Sequence, residues 1–257
     1  LAKPSIRRFF SCSAKGLPRG NPRPVDADVA SEVERTDAQG GEYDADDDVI
    51  LLQHLRKVYH GGVTAVEDMS FGVKVGEVFG FLGINGAGKT TTLKMLSGDI
   101  VPTEGSARLA GFDVVSEQSN LRRLLGYCPQ FDALLELLTV KEHLELFARI
   151  KGVPESNVAA VVTEKVQQMQ LEEFVNVRAG SLSGGNKRKL SVAIALTGSP
   201  PLVFLDEPST GMDPVARRFM WNVIARVATE RRECSIILTT HSMEECEALC
   251  TRVGRSE

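Results

Sequence analysis

The chain has 257 residues, 42% of them hydrophobic and 25% charged, with a formal net charge of −4 at pH 7. Such a composition belongs to an ordinary globular protein and excludes collagen, a disulfide scaffold, a coiled-coil rod and wholesale disorder. The negative balance gives no electrostatic reason to expect non-specific nucleic-acid binding.

The first 48 residues are the least mixed part of the chain. Residues 1–25 carry Lys3, Arg7, Arg8, Lys15, Arg19 and Arg23 and no acid, whereas 26–48 carry ten acids against the single Arg35. With few apolar residues and four prolines, 1–48 reads as a disordered arm or linker, because it offers too little burial to offset ordering. A solvated tether is favoured over an arm that touches anionic lipid through Phe9 and Phe10. The chain opens at Leu1 rather than Met, which reads as a fragment, a processed chain or an incomplete gene model.

From Val49 onward one domain is expected, 49–257. Val49–Leu52 is a short apolar run, and Met69, Phe71, Val73 and Val75 alternate with Ser70, Gly72 and Lys74, the period of a half-buried strand. Val78–Leu82 reads as a buried strand, Thr90–Leu96 as the start of a helix, and Val140–Ile150 and Val158–Leu171 as helices of a mostly helical insertion over about 131–180. Leu202–Leu205 and Ser235–Thr239 are further continuous apolar strands, separated by a helical stretch around Val215–Ala228. Strands of that kind alternating with helices indicate an α/β fold with a mostly parallel sheet covered on both faces. The longest apolar run, Ala193–Leu205, is cut by Gly198, Pro200 and Pro201 and falls short of the roughly 18 residues a membrane span needs. The chain is therefore expected not to cross a membrane.

Five scattered cysteines suggest no disulfide framework and fit a reducing compartment. Cys246 and Cys250 sit four apart near His241, but no further CxxC or HxxxH pair completes a zinc set, so they read as buried thiols.

Gly83-Ile84-Asn85-Gly86-Ala87-Gly88-Lys89-Thr90 fits G-x-x-x-x-G-K-[ST] between an expected strand and an expected helix. Its glycines let backbone N–H groups converge on phosphate, Lys89 supplies a point charge, and the Thr90 hydroxyl is a magnesium ligand. Asp206 and Glu207 end a buried strand, where open α/β sheets hold ligands. One acid suffices to hold magnesium through water, and Glu207 is placed to polarise an attacking water. Asn186-Lys187-Arg188-Lys189 lacks the Asp of a guanine-reading motif, so ATP is the expected nucleotide. Ser183 is a good N-cap, and Gly184 and Gly185 bare the N–H groups of the following helix, Lys187–Thr197, as an anion site. Two phosphate-binding devices then serve one nucleotide, either within one chain or shared with a second subunit.

These segments together resemble the nucleotide-binding domain of an ABC ATPase, with Walker A at Gly83–Thr90, the signature at Leu182–Asn186 and Walker B at Leu202–Asp206. Tyr127-Cys128-Pro129-Gln130 is similar to the Q-loop, Ser209–Asp213 to the D-loop, and His241 to the switch histidine. The wording of Gly126–Ala133, Ser183–Leu190, Phe204–Pro214 and His241–Cys250 resembles the A subfamily, whose full-length members move lipids. Asn186 stands where most of the family has Gln.

The resemblance implies a P-loop NTPase core, an N-terminal antiparallel β-subdomain and the helical insertion, which is the expected contact to a membrane domain. It implies that Tyr59 stacks on adenine and that Gly83, Asn85, Gly86, Gly88, Lys89, Thr90 and Thr91 bind the nucleotide. Thr90, Gln130 and Asp206 would order Mg2+ and its waters, Glu207 would be the base, and His241 would contact the γ-phosphate. Ser183, Gly184, Gly185 and Asp213 would serve the nucleotide of a second cassette in a head-to-tail dimer. The implied setting is the cytoplasmic face of a membrane, in a transporter whose membrane domains, absent from this chain, carry the lipid, with no nucleic acid as partner. Rival readings are a soluble ABC protein acting on ribosomes or nucleic acid, and a non-hydrolysing regulatory cassette. Family members continue past Cys250 with further strands, so the terminal strands are expected to be missing and the chain alone to be marginally stable.

Overall fold

The computed structural model describes residues 5–7, 27–39, 48–84, 86–230 and 234–256. In chain order the elements are β1 (Ser5–Arg7), α1 (Ala27–Asp37), β2 (Ile50–Val58), β3 (Thr64–Val66), β4 (Phe71–Val73) and β5 (Val78–Gly83). They continue with α2 (Lys89–Leu96), β6 (Glu104–Leu109), β7 (Phe112–Asp113), α3 (Gln118–Leu124), β8 (Leu125–Cys128), α4 (Val140–Ile150) and α5 (Glu155–Gln168). The last are α6 (Gly184–Leu196), β9 (Leu202–Asp206), α7 (Pro214–Glu230), β10 (Ser235–Thr240), α8 (Met243–Leu249) and β11 (Arg252–Ser256). No helix among the described residues is long and apolar enough to cross a membrane.

One sheet is wholly parallel, in the order β1-β11-β5-β10-β9-β8. The other is antiparallel, in the order β3-β2-β6-β7 with β4 also paired to β2. Successive side chains of the parallel strands enter opposite cores. Val203, Leu205, Ile236 and Leu238 join one core with α4–α8, while Phe79, Phe81, Phe204 and Ile237 join the other with the antiparallel sheet. Both faces are buried, which is why these strands read as unbroken apolar runs. Phe71 stacks on Phe79 with ring centroids 4.8 Å apart and so joins the two sheets.

Local chemistry fixes the helix starts. Thr139 and Glu142 form a reciprocal capping box at α4, and Ser183 and Ser242 cap α6 and α8 through bonds from the backbone N–H groups of Asn186 and Glu245. Because of the Ser183 cap, α6 begins at Gly184, a turn earlier than the sequence reading placed it. The alternating run 69–75 is shorter than expected as a strand, since only Phe71–Val73 pairs, with β2.

The reading of 1–48 as disordered is corrected for its described parts. Ser5–Arg7 forms a strand on β11, and Ala27–Asp37 forms a helix against β2 and β4. Two of the acids that suggested a solvated segment, Glu32 and Asp48, are buried and paired. Arg35 bonds Glu32 and Asp48, Glu32 accepts from the Gly72 N–H, and Gln53 caps the Thr36 carbonyl. Charged groups are buried when paired in this way. Residues 8–26 and 40–47, with the basic stretch around Phe9 and Phe10, lie outside the described residues. One strand does follow α8. Arg252–Ser256 lies between β5 and β1 in register, and Arg252 spans Phe79, Glu32 and Glu77.

Candidate functional site

Register brings the site together. Thr239 of β10 lies beside Phe81 of β5 and Asp206 of β9, so three parallel strands end in one row at their carboxyl edge. The loop after β5 turns through Gly86 and Gly88, both at positive φ, into α2. A Cβ on Gly88 would stand 2.5 Å from the Ala65 carbonyl oxygen, so the loop can approach the antiparallel sheet only with glycine there. Asn85 lies outside the described residues.

A cavity of about 200 Å³ opens at this edge, lined by Ala65, Gly86, Gly88, Lys89, Thr90, Thr91, Gln130 and Glu207. Lys89, 5% exposed, donates to the carbonyls of Gly83 at 2.6 Å and Ile84 at 3.0 Å and stands 3.9 Å from Glu207 Oε1. Burial pushes its ammonium below the ordinary lysine value, against the pull of Glu207 and Asp206. Tyr59 is on the rim, its hydroxyl 3.5 Å from Thr91 Oγ1 and its exposed ring 5.5 Å from Lys57 Nζ.

Glu207 is 4% exposed and holds φ at +53°. Its N–H donates to the Thr239 carbonyl and hydroxyl oxygens, and its Oε2 accepts from Thr210 Oγ1 at 2.6 Å and meets His241 Nδ1 at 2.7 Å. Asp206 is fully buried, with Oδ1 bonded by the Thr239 hydroxyl. Asp206 Oδ2 and Glu207 Oε1 are buried without a hydrogen-bond partner. An orphaned carboxylate oxygen is costly in a low-dielectric site, so Asp206 Oδ2 suits a hard cation with oxygen ligands, while Glu207 Oε1, 3.9 Å from Lys89, is open to a proton donor.

The structure thus brings Gly86, Gly88, Lys89, Thr90, Thr91, Gln130, Asp206, Glu207 and His241 to one strand edge. Ser183, Gly184, Gly185 and Asp213 are not among the residues that line the cavity. Ser183 and Gly184 are exposed, and a Cβ on Gly184 or Gly185 would meet open space, leaving the start of α6 bare. Asp213 caps α7, and the amides of Ala216 and Val215 hold its carboxyl below the usual range. The sequence reading missed Thr239 and Thr210, hidden in ordinary strand and turn, and Arg188, which stood in a basic run weighed only against a guanine-reading motif. Arg188 is nevertheless buried, donating to the carbonyls of Pro129, Asp206, Glu207 and Pro208.

Residues 66–210 match the family described as ABC transporter. The chain is 51% identical over 245 residues to the ATP-binding cassette sub-family A member 7 of Mus musculus, covering 93% of this chain and 11% of that protein. It is 51% identical over 230 residues to the retinal-specific phospholipid-transporting ATPase ABCA4 of Homo sapiens, covering 89% of this chain and 10% of that one. The chain therefore spans about a tenth of the length of the curated relatives it matches. Among solved structures it resembles a dimeric bacterial ABC transporter cassette, with a TM-score of 0.74 at 24% identity over 81% of this chain and 96% of that one. It also resembles an ATP-binding subunit of an ABC transporter, with a TM-score of 0.72 at 29% identity over 80% of this chain and 87% of that one. With a family model matched over more than half of its length and the phosphate loop, paired carboxylates and bare α6 start in place, the chain belongs to the ABC transporter family.

Proposed function

We propose that the chain is an ATP-hydrolysing cassette that pairs head to tail with a second cassette and drives lipid movement through membrane domains. Its place is then the cytoplasmic face of a membrane. The observation that carries the reading is the cluster Lys89–Glu207–His241 at the cavity edge, with Asp206 Oδ2 and Glu207 Oε1 buried and without a hydrogen-bond partner.

The chemistry follows from the contacts. Lys89, parked on the Gly83 and Ile84 carbonyls, turns its ammonium to the β- and γ-phosphates when ATP enters. Tyr59 offers an exposed ring for the base. Thr90, Gln130 and Asp206 would hold magnesium, which supplies charge neutralisation at the phosphates. Glu207 uses Oε2 to stay anchored on Thr210 and His241, which leaves Oε1 to accept a proton from the attacking water. The bare N-terminus of α6, at Ser183, Gly184 and Gly185, closes on the γ-phosphate of the partner cassette's nucleotide, beside Asp213. The A-subfamily relatives named phospholipid-transporting ATPases support lipid as the transported class.

Hydrolysis of ATP by the purified chain with and without magnesium tests this, alongside Glu207→Gln. Magnesium-dependent turnover is expected in the wild type, lost by about 10²-fold or more in the variant, which should still bind ATP and accumulate as a dimer on size-exclusion chromatography. Equal turnover in both would remove Glu207 from the base role.

A further inference from the structure

We infer that Arg188 is a positioning residue that holds the Asp206–Glu207 carboxylates in register with the loop carrying Gln130. The inference rests on the ATPase reading above and goes beyond it by giving the site a mechanical link.

The link is one guanidinium. Arg188 Nε donates to the Pro208 carbonyl at 3.1 Å, and Nη2 to those of Asp206 at 2.6 Å and Glu207 at 3.0 Å. Nη1 points the other way, to the carbonyls of Pro129 at 2.6 Å and Gln130 at 3.4 Å and to Asp132 Oδ1 at 3.1 Å. The side chain is 5% exposed, and its ionic partner is the partly exposed Asp132. A buried cation that spends its donors chiefly on carbonyls from two separate segments fixes those segments to each other.

What it fixes matters for the reaction. Glu207 sits in the left-handed region, where a residue with a side chain stays only if its surroundings over-determine it. Thr239 holds its N–H, and Arg188 holds its carbonyl together with the Thr210 N–H. The direction of the Glu207 carboxylate therefore depends on Arg188 as well as on the strand. The other branch of the same plane holds the backbone of Gln130, whose residue lines the cavity. A displacement of the 129–132 loop is passed through a rigid fork to the 206–208 carbonyls, and the reverse. Lysine cannot reproduce this, because its three donors radiate from one atom and lack the planar fork.

The test compares the full chain carrying Arg188→Lys, Arg188→Ala or Asp132→Asn with the wild type. ATP turnover, affinity for a fluorescent trinitrophenyl-ATP and the melting temperature are measured on each. Arg188→Lys is expected to bind the probe within about threefold of wild type while kcat falls by about 10²-fold, the scale of a 1 Å misplacement. Asp132→Asn should lower kcat less, with KM unchanged, and the Arg188→Lys/Asp132→Asn double variant should lose little more than Arg188→Lys alone, as coupled residues do. Guanidinium ion added to Arg188→Ala should restore part of kcat. Wild-type kcat in Arg188→Lys, or a kcat loss matched by an equal loss of probe binding, overturns the inference. If Arg188→Lys and Arg188→Ala do not fold, an unaltered kcat in Asp132→Asn overturns it. A wild-type chain with no turnover overturns the ATPase reading and this inference with it, whereas an active wild type with an unaffected Arg188→Lys overturns only the role of Arg188.

Discussion

His241 Nδ1 stands 2.7 Å from Glu207 Oε2, across the join between β10 and β9. The imidazole is 58% exposed and the carboxylate 4%, so one unit reaches from solvent to the buried strand edge. His241→Ala leaves Oε2 with Thr210 as its hydrogen-bond partner among the described residues and lets the carboxylate rotate. Turnover should drop by about 10²- to 10³-fold with ATP affinity kept, since orientation rather than binding is lost. A steady-state series in ATP separates the two, and a rise in KM with unchanged kcat would contradict the proposed geometry.

His54 makes the attachment of α1 depend on pH. Its ring meets Asp68 Oδ1 at 3.2 Å through Nδ1 and Asp37 at 3.4 Å through Nε2. The hydrogen bond with Asp68 lifts its pKa, slight burial opposes, and Asp37 adds to the rise. A raised folded-state value means the contribution is complete below the unfolded value of about 6.5 and fades as pH climbs through the higher folded value. The protection factors of the amides over 27–39, which correct for the base catalysis of exchange itself, should therefore be higher at pH 6 than at pH 8. In His54→Gln that difference should vanish, and its persistence would assign the pH effect elsewhere.

Gly72 is the point where α1 meets the sheet. A Cβ there would fall 1.8 Å from Asp48 Oδ2 and 2.8 Å from Arg35 Nη2, so Gly72→Ala must displace the buried ion pair. Overpacking of this kind costs about 1–3 kcal/mol. The expected readout is a lower melting temperature together with faster proteolysis before Asp48. An unshifted melting curve would show that α1 contributes nothing to the fold.

Thiol labelling offers a further check. Burial pushes the Cys128 thiol up to about 12, and a hydrogen bond to Cys246 together with burial raises that of Cys250. Both should resist iodoacetamide at pH 8 in the native chain and react fully in denaturant, as mass spectrometry of the peptides will report. Rapid native labelling at Cys250 would mean that α8 detaches from β5.

The phosphate loop was legible because its chemistry demands fixed spacing in contiguous residues, Gly83 to Thr90. Asp206 and Glu207 were legible because an apolar strand ending in acids has few other uses. Arg188 was not, since Lys187, Arg188 and Lys189 are one basic run and only the approach of residues 129–132 and 206–208 decides which side chain turns inward. The helix α1 was hidden for a related reason. Its Glu32 looks solvated until Arg35 and the distant Arg252 are placed around it. The role of β11 escaped because Arg252–Ser256, with Val253 as its one apolar side chain, was weighed without the edge of β5 that receives it.

The strand order has a consequence for assembly of the chain. Catalytic parts at the ends of Val78–Gly83, Leu202–Asp206 and Ser235–Thr240 become neighbours only when β10 slides between the other two. Closing loops of that length is entropically slow, and no local fragment carries a usable portion of the chemistry. Recovery of nucleotide turnover after dilution from denaturant should accordingly trail the return of helical circular dichroism, appearing as a single late event rather than in instalments.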